Sequence, residues 1–136
     1  GAQDQFYTFN MFDAQAWYAR DVILGRIELP DEATREADYK AWRAKEEACE
    51  NAFDLIDFQT EYMRDMLDST DYPELNVEQV AVLFKTWEHH KEEGILTYRD
   101  RSYVSVITGN QAPEHHTTWM LALDDSKEAF LENKAL

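Results

Sequence analysis

Few residues in this sequence break a helix or link distant segments covalently. Its 136 residues include four glycines, three prolines and one cysteine. The single thiol, Cys49, excludes a disulfide within the chain, and no apolar run reaches the roughly 18 residues that suggest a membrane-spanning helix. A basic segment followed by an apolar one, which would indicate a secretory signal, is also missing. We therefore expect a protein of the cytoplasm, a reducing compartment, without contact to a membrane.

Basic residues are scarce as well. The chain has 13 lysines and arginines against 28 acidic residues, so its net charge is -15. Such a surface repels a phosphate backbone or an anionic lipid, which argues against nucleic-acid and membrane partners. Because 44% of the residues are hydrophobic and 13% aromatic, the chain has enough apolar surface to fold as one domain.

Short catalytic motifs are missing too. No two glycines lie close enough to form the phosphate-binding turn of a dinucleotide site. The sequence also lacks a G-x-S-x-G elbow, a C-x-x-C pair and an H-E-x-x-H helix. As an isolated unit, the chain is expected to be catalytically inactive.

The first half of the chain predicts a short strand and then helices. The aromatic stretch QFYTF predicts a strand over 5–9, and a helix follows over 12–26, ended by Gly25 and Pro30. Residues 31–72 contain neither glycine nor proline, which predicts one long helix or two helices with a break near Asn51. Its apolar stripe comprises Tyr39, Trp42, Cys49, Phe53, Ile56, Met63 and Leu67.

The second half is predicted to be helical on either side of an irregular segment. Asn76, with Gln79 three residues later, is a typical helix N-cap. The apolar face of this helix comprises Val77, Val80, Phe84 and Trp87. Residues 95–117 are irregular, with a strand candidate at 103–107 and a turn at 109–110, and a last helix is expected over 118–133. The predicted fold class is therefore mostly α.

Three groups of side chains invite a chemical interpretation. The pairs His89-His90 and His115-His116 suggest a metal site, but adjacent helical residues point about 100° apart. We therefore interpret them as surface or hydrogen-bonded histidines and predict no metal. Cys49 lies on the apolar stripe and is expected to be a buried structural thiol.

Asp4 lies between two glutamines, just before an aromatic cluster and outside any obvious helix face. Its carboxylate either bonds local backbone in a turn or belongs to a functional site, and the residues alone leave both alternatives open.

A series of motifs, in order along nearly the whole chain, carries a resemblance to a known family. They are the opening GAQDQFYTFNMFDAQAWYARDVILGRI and then DFQTEY, TDYP, FKTWEHHK, YRDRSY, SVITG, APEHHTTW and LALDDS. This series resembles the C-terminal part of bacterial flavin-containing monooxygenases, closest to their trimethylamine monooxygenase group. The resemblance implies that two glycine-rich dinucleotide folds lie upstream in a longer enzyme, of which this chain is the final part.

The resemblance also implies a division of the chain and a set of site residues. Residues 1–27 would supply a strand and a flavin-facing helix of the FAD domain, and residues 28–136 a helical extension. In this family, the positions matching Gln5 and Thr8 contact FAD. Asp4 matches a residue that faces the amine pocket, where it would orient water or the substrate.

Two further positions gain a role from the resemblance. Trp87 matches an aromatic residue beside the nicotinamide and the substrate, and Arg99 would lie on the NADP side of the same cleft. Each has a plain alternative, because Trp87 also continues a core stripe and Arg99, between Tyr98 and Asp100, could form a surface ion pair.

The function that the resemblance implies is oxidation of small tertiary amines, trimethylamine above all, to N-oxides. NADPH would reduce FAD, and O₂ would then give a flavin hydroperoxide that the amine attacks. The expected partners are the dinucleotide-binding domains of the same enzyme and, because aromatic faces are left uncovered, further copies of the chain. The alternative is a non-catalytic helical module that binds another protein.

Overall fold

A computed structural model describes residues 6–111, and these are mostly helical, as predicted. The helices are α1 (Thr8–Ile23), α2 (Glu32–Glu47), α3 (Ala52–Asp68) and α4 (Val77–Glu93), followed by a 3₁₀ turn at Tyr98–Asp100. The chain forms two compact units, which divide after His89. The division near residue 27 that the resemblance implies stays a prediction.

The first helix begins earlier than expected. α1 starts at Thr8, so the strand predicted over 5–9 is wrong for its described residues, 6–9. Phe6 and Tyr7 are buried and pack against Phe84, with ring centroids 5.5 and 5.1 Å apart. Their aromatic side chains therefore fill a helical core instead of pairing with a neighbouring strand. The predicted end is confirmed, because Gly25 follows the helix with a φ of +68° that favours glycine.

The chain between Asp31 and Tyr72 forms two helices, and the break falls where Asn51 predicted it. The Asn51 side chain accepts hydrogen bonds from the backbone N–H groups of Phe53 and Asp54 at 2.9 and 3.0 Å, so it caps α3. Asp31 caps α2 by the same means, accepting from the backbone N–H of Thr34 at 2.8 Å.

α2 is held to α3 through few side chains. The Trp42 ring packs edge-on against Phe58 and Tyr62, at centroid distances of 5.9 and 5.3 Å. No residue of α2 is buried, and Tyr39, a member of the predicted apolar stripe, is 59% exposed. Cys49 is only half-buried, which corrects the expectation of a buried thiol.

The core of the first unit lies where α1, α3 and α4 meet. Its buried members are Phe6, Tyr7, Met11, Ala14, Ile56, Met63, Val77 and Ala81. The predicted cap of α4 is confirmed, because Asn76 Oδ1 accepts a hydrogen bond from the backbone N–H of Gln79 at 3.0 Å. Of the stripe predicted on α4, Val77 is buried, and Val80, Phe84 and Trp87 pack against this core.

The second unit contains the irregular segment that the sequence predicted. Its described part holds the 3₁₀ turn and a single antiparallel bridge between Val104 and Gln111. The strand predicted at 103–107 is therefore wrong, since the chain turns immediately after the bridge. Gly109, with a φ of +69°, lies at the predicted turn. The helix expected over 118–133 lies outside the described residues.

Candidate functional site

The predicted site residues fall on three parts of the chain. Asp4 and Gln5 lie outside the described residues, as do His115 and His116. Thr8 is the first residue of α1 and is half-buried. Trp87 is a half-buried residue of α4 in the first unit, whereas Arg99 belongs to the second unit.

The N-terminus of α1 differs from those of the next two helices. Its N-cap residue, Tyr7, makes no side-chain cap hydrogen bond, and its first turn contains no acidic residue. α2 and α3 each have a capping side chain and an acidic residue in the first turn. The partial positive charge at the start of α1, about half an elementary charge, is therefore not offset by an acidic residue in that turn.

Tyr7 anchors the start of α1 to the two other helices of the core. The Tyr7 hydroxyl lies 2.9 Å from Thr60 Oγ1 and donates a hydrogen bond to the Val77 carbonyl oxygen at 3.0 Å. Thr60 lies on α3 and Val77 begins α4, so a single buried side chain joins the start of α1 to both helices. This contact limits how far the start of α1 can shift.

Trp87 packs against the core cluster that contains Phe6 and Tyr7. It follows Phe84 by about one helical turn, and Phe84 contacts both of those rings. The described structure thus brings Trp87, Phe6 and Tyr7 to one aromatic cluster. The same packing also agrees with the plain alternative, in which Trp87 is a core residue, so it does not distinguish the two roles.

Arg99 is exposed in the 3₁₀ turn of the second unit. Its guanidinium carbon lies 4.5 Å from the centroid of the Tyr98 ring, a cation–π contact. In the described geometry, Arg99 therefore contacts a tyrosine ring. The plain alternative had expected a surface ion pair instead.

A buried carboxylate, Asp21, was missed in the sequence. Its side chain is 5% exposed and is held by Arg20 Nε at 2.9 Å and Arg26 Nη1 at 3.1 Å. The hydrogen bond from Arg20 and the positive charges of both arginines lower the pKa of Asp21. Arg20 also pairs with Asp71. In the sequence, the nearby Arg20 and Arg26 could have indicated an ion pair with Asp21. The pairing of Arg20 with Asp71 could not be inferred, because Asp71 lies far along the chain.

A groove of about 850 Å³ between α1, α2 and α3 was also missed. Its aromatic lining residues are Tyr18, Tyr39, Trp42, Phe58 and Tyr62. The apolar stripe predicted from the sequence contains two of these rings, Tyr39 and Trp42, but α2 has no buried residue, so both rings line an open groove. The groove contains none of the predicted site residues.

Other classes of site find no support within residues 6–111. This part contains no cluster of three histidine, cysteine, aspartate or glutamate side chains able to hold a metal ion. His90 Nδ1 instead lies 2.8 Å from the Tyr103 hydroxyl, which fits a hydrogen-bonded histidine. In the same residues, every helix is too short or too polar to cross a membrane.

Comparison with known proteins gives consistent matches to one kind of enzyme. No family model matches the sequence. The chain is 65% identical over 130 residues to trimethylamine monooxygenase of Methylocella silvestris, a match covering 96% of this chain and 29% of the relative. It is 52% identical over 131 residues to trimethylamine monooxygenase of Pelagibacter ubique, covering 96% of this chain and 30% of the relative.

The fold agrees with the sequence matches. The crystal structure of Tmm from Pelagibacter sp. strain HTCC7211 superposes with a TM-score of 0.83 at 51% identity, covering 96% of this chain and 30% of that one. The chain thus spans about 30% of the length of the relatives that it matches. By sequence and by fold, the chain belongs to the trimethylamine monooxygenase group and corresponds to a C-terminal portion of its members.

Proposed function

We propose that this chain forms the C-terminal part of an FAD- and NADPH-dependent monooxygenase that converts small tertiary amines, chiefly trimethylamine, to their N-oxides. One oxygen atom of O₂ is transferred to the amine nitrogen and the other leaves as water, with two electrons from NADPH. The observation that carries this proposal is the 65% identity to a trimethylamine monooxygenase over 96% of the chain.

The start of α1 is suited to face the flavin. The Thr8 hydroxyl and the Gln5 amide are neutral hydrogen-bonding groups, so they contact a cofactor without adding a charge. The first turn of α1 carries no acidic residue that would repel an electron-rich ring edge. FAD, when bound, supplies the oxygen-transfer chemistry, and this chain positions the ring and excludes water.

Asp4 and Trp87 form the proposed amine side of the site. The nucleophile must be a neutral amine, so the Asp4 carboxylate orients water or substrate and does not hold the ammonium form tightly. Trp87 contributes an aromatic wall to this space. Its support is the packing of Trp87 on the cluster that also holds Phe6 and Tyr7, immediately before Thr8.

Arg99 is the proposed contact to NADP. An exposed guanidinium that is stacked on Tyr98 is partly pre-oriented, and its planar donors suit a phosphate group. We assign Arg99 to the cofactor on the resemblance and on this exposure, in the second unit.

A helical module that binds another protein is the alternative function. The exposed apolar side chains of this chain fit that alternative, because solvent-facing rings such as Phe9, 85% exposed, often mark an interface. The identity to enzymes over nearly the whole chain favours the monooxygenase. In either case we propose that the isolated chain associates with further copies of itself through exposed apolar residues outside α1, such as Leu96, which is 80% exposed.

The dependence of flavin binding on the rest of the enzyme tests the proposal. We would titrate FAD into the isolated chain and into a chimera in which this chain replaces the matching segment of the Methylocella silvestris enzyme. We expect no saturable binding to the isolated chain, because Gln5 and Thr8 supply few of the contacts that FAD needs. The chimera should purify yellow with about one FAD per chain. A colourless chimera, or tight binding by the isolated chain, contradicts the proposal.

A further inference from the structure

α1 has apolar side chains on two opposite faces. One face holds Met11 and Ala14, which are fully buried in the core. The other face holds the outer stripe, which we define as Phe9, Phe12, Ala16, Ala19 and Ile23. These five positions are spaced by three and four residues, so they follow one line along the helix.

The outer stripe is exposed. Phe9 is 85%, Phe12 48% and Ile23 83% exposed, and the two alanines also face solvent. A helix that is apolar on both faces is typical of one that is buried on both sides. α1 therefore has one covered face and one uncovered face.

The charged side chains that border the outer stripe are engaged within the chain. Asp13 Oδ2 accepts a hydrogen bond from the Tyr72 hydroxyl at 2.9 Å. Arg20 binds Asp21 and Asp71, and its guanidinium carbon lies 4.0 Å from the centre of the Trp17 ring. Because these groups bond to their own chain, the stripe presents apolar atoms without a competing charge of its own.

We propose that the outer stripe of α1 is the surface on which the upstream, dinucleotide-binding part of the same enzyme docks. The inference rests on the proposed function, since it needs the chain to be part of a longer enzyme. About 30% of the length of the relatives is matched, so most of such an enzyme lies outside this chain. That remainder precedes the C-terminal portion and is therefore covalently close to α1, the first described helix, which raises its effective concentration.

A second copy of this chain is a poorer occupant. Each copy carries a net charge of -15, so two copies repel each other as they approach. An attached upstream segment needs no such encounter. The outer stripe is therefore assigned to the upstream part of the same chain.

Thiol labelling tests this assignment independently of catalysis. In a Cys49→Ser background, we would introduce Ile23→Cys and Ala16→Cys on the stripe, and Val82→Cys as a control at an apolar position of α4 that is 62% exposed. Ala16→Cys is included because it is a small change at an exposed position, so it keeps the test valid if Ile23→Cys fails to fold. Alkylation would be followed peptide by peptide by mass spectrometry, in the isolated chain and in the chimera with the upstream part of the Methylocella silvestris enzyme.

We expect both stripe thiols to react at least about tenfold more slowly in the chimera than in the isolated chain, because docking buries them. The control thiol should react at about the same rate in both proteins. Equal rates at the stripe overturn the assignment. Slow labelling in the isolated chain also overturns it: if it depends on protein concentration, a second copy is the occupant, and if it does not, the chain covers its own stripe.

The two proposals fail in different ways. A chimera with protected stripe thiols but no N-oxide formation would refute the proposed function and support the docking surface. A chimera that forms N-oxide while its stripe thiols stay reactive would refute the docking surface alone.

Discussion

The hydroxyl of Tyr7 lies 2.9 Å from Oγ1 of Thr60, which joins the segment before α1 to the middle of α3. The same hydroxyl donates a hydrogen bond to the Val77 carbonyl oxygen at 3.0 Å. Because the segment beside Tyr7 is the proposed flavin-facing one, this buried tyrosine connects the stability of the helical core to the position of the site.

Replacing Tyr7 with phenylalanine should destabilise the chain. Tyr7→Phe keeps the ring that packs on Phe84 but leaves the buried Val77 carbonyl and Thr60 hydroxyl without this partner. We expect the free energy of unfolding in urea to fall by about 1–2 kcal/mol. Tyr39→Phe, at a 59% exposed position, is the matched control and should change stability by less than about 0.5 kcal/mol. Equal effects of the two changes would contradict the role of the Tyr7 hydroxyl.

The contribution of Asp21 to stability should depend on pH. Arg20 and Arg26 lower the pKa of Asp21 in the folded chain, so its contribution is complete above the ordinary aspartate pKa. It is lost as the pH falls through the lower, folded-state value, below about pH 4. Melting curves of wild type and Asp21→Asn should therefore differ most near pH 7 and converge as the pH falls below the lowered, folded-state pKa of Asp21. Asp71→Asn, at an exposed partner of Arg20, should have a smaller effect; a constant difference across this range would refute the prediction.

The stability of the chain should depend on the N-cap of α4, which the sequence predicted from Asn76 and Gln79. Asn76→Ala removes the acceptor for the Gln79 backbone N–H and should cost about 1 kcal/mol of unfolding free energy. Asn76→Asp keeps an acceptor and suits the helix dipole, so it should be close to wild type. Urea unfolding followed by circular dichroism distinguishes the two. An alanine variant as stable as the aspartate variant would show that the cap is dispensable.

The role proposed for Asp4 can be separated from that of a turn residue. If Asp4 orients water or amine, Asp4→Ala in the chimera should lower kcat/KM by more than about tenfold, roughly 1.4 kcal/mol, at nearly unchanged flavin content and melting temperature. Glu28→Ala, at an exposed carboxylate, is the control and should keep wild-type turnover. Wild-type activity per bound flavin in Asp4→Ala, together with lower stability, would make Asp4 a turn residue.

Local signals allowed part of the fold to be predicted. Asn51, Asn76 and Gly25 each mark a helix boundary, because their side chains or backbone preferences act on neighbouring residues only. The strand predicted over 5–9 was wrong since aromatic residues suit both a strand and a helical core, and only the long-range contacts with Phe84 decide between them.

The remaining features depend on residues that are far apart in the sequence or beyond this chain. The burial of Asp21 depends on how α1 packs, and its partner Arg20 also pairs with Asp71 on a distant loop. Tyr39 has the spacing of a core residue but lies on a helix that buries none of its side chains. The roles of Asp4, Gln5, Thr8, Trp87 and Arg99 depend on cofactors that an upstream part would bind. They stay predictions.

The most direct test of the account is trimethylamine N-oxide formation by the chimera that carries this chain. The matched control is the Methylocella silvestris enzyme truncated before the segment that this chain replaces. With FAD, NADPH and trimethylamine, we predict N-oxide formation by the chimera, quantified by mass spectrometry per bound flavin, and none by the truncated enzyme. A folded, flavin-loaded chimera that consumes NADPH without forming N-oxide would contradict the proposal that this chain completes an amine monooxygenase.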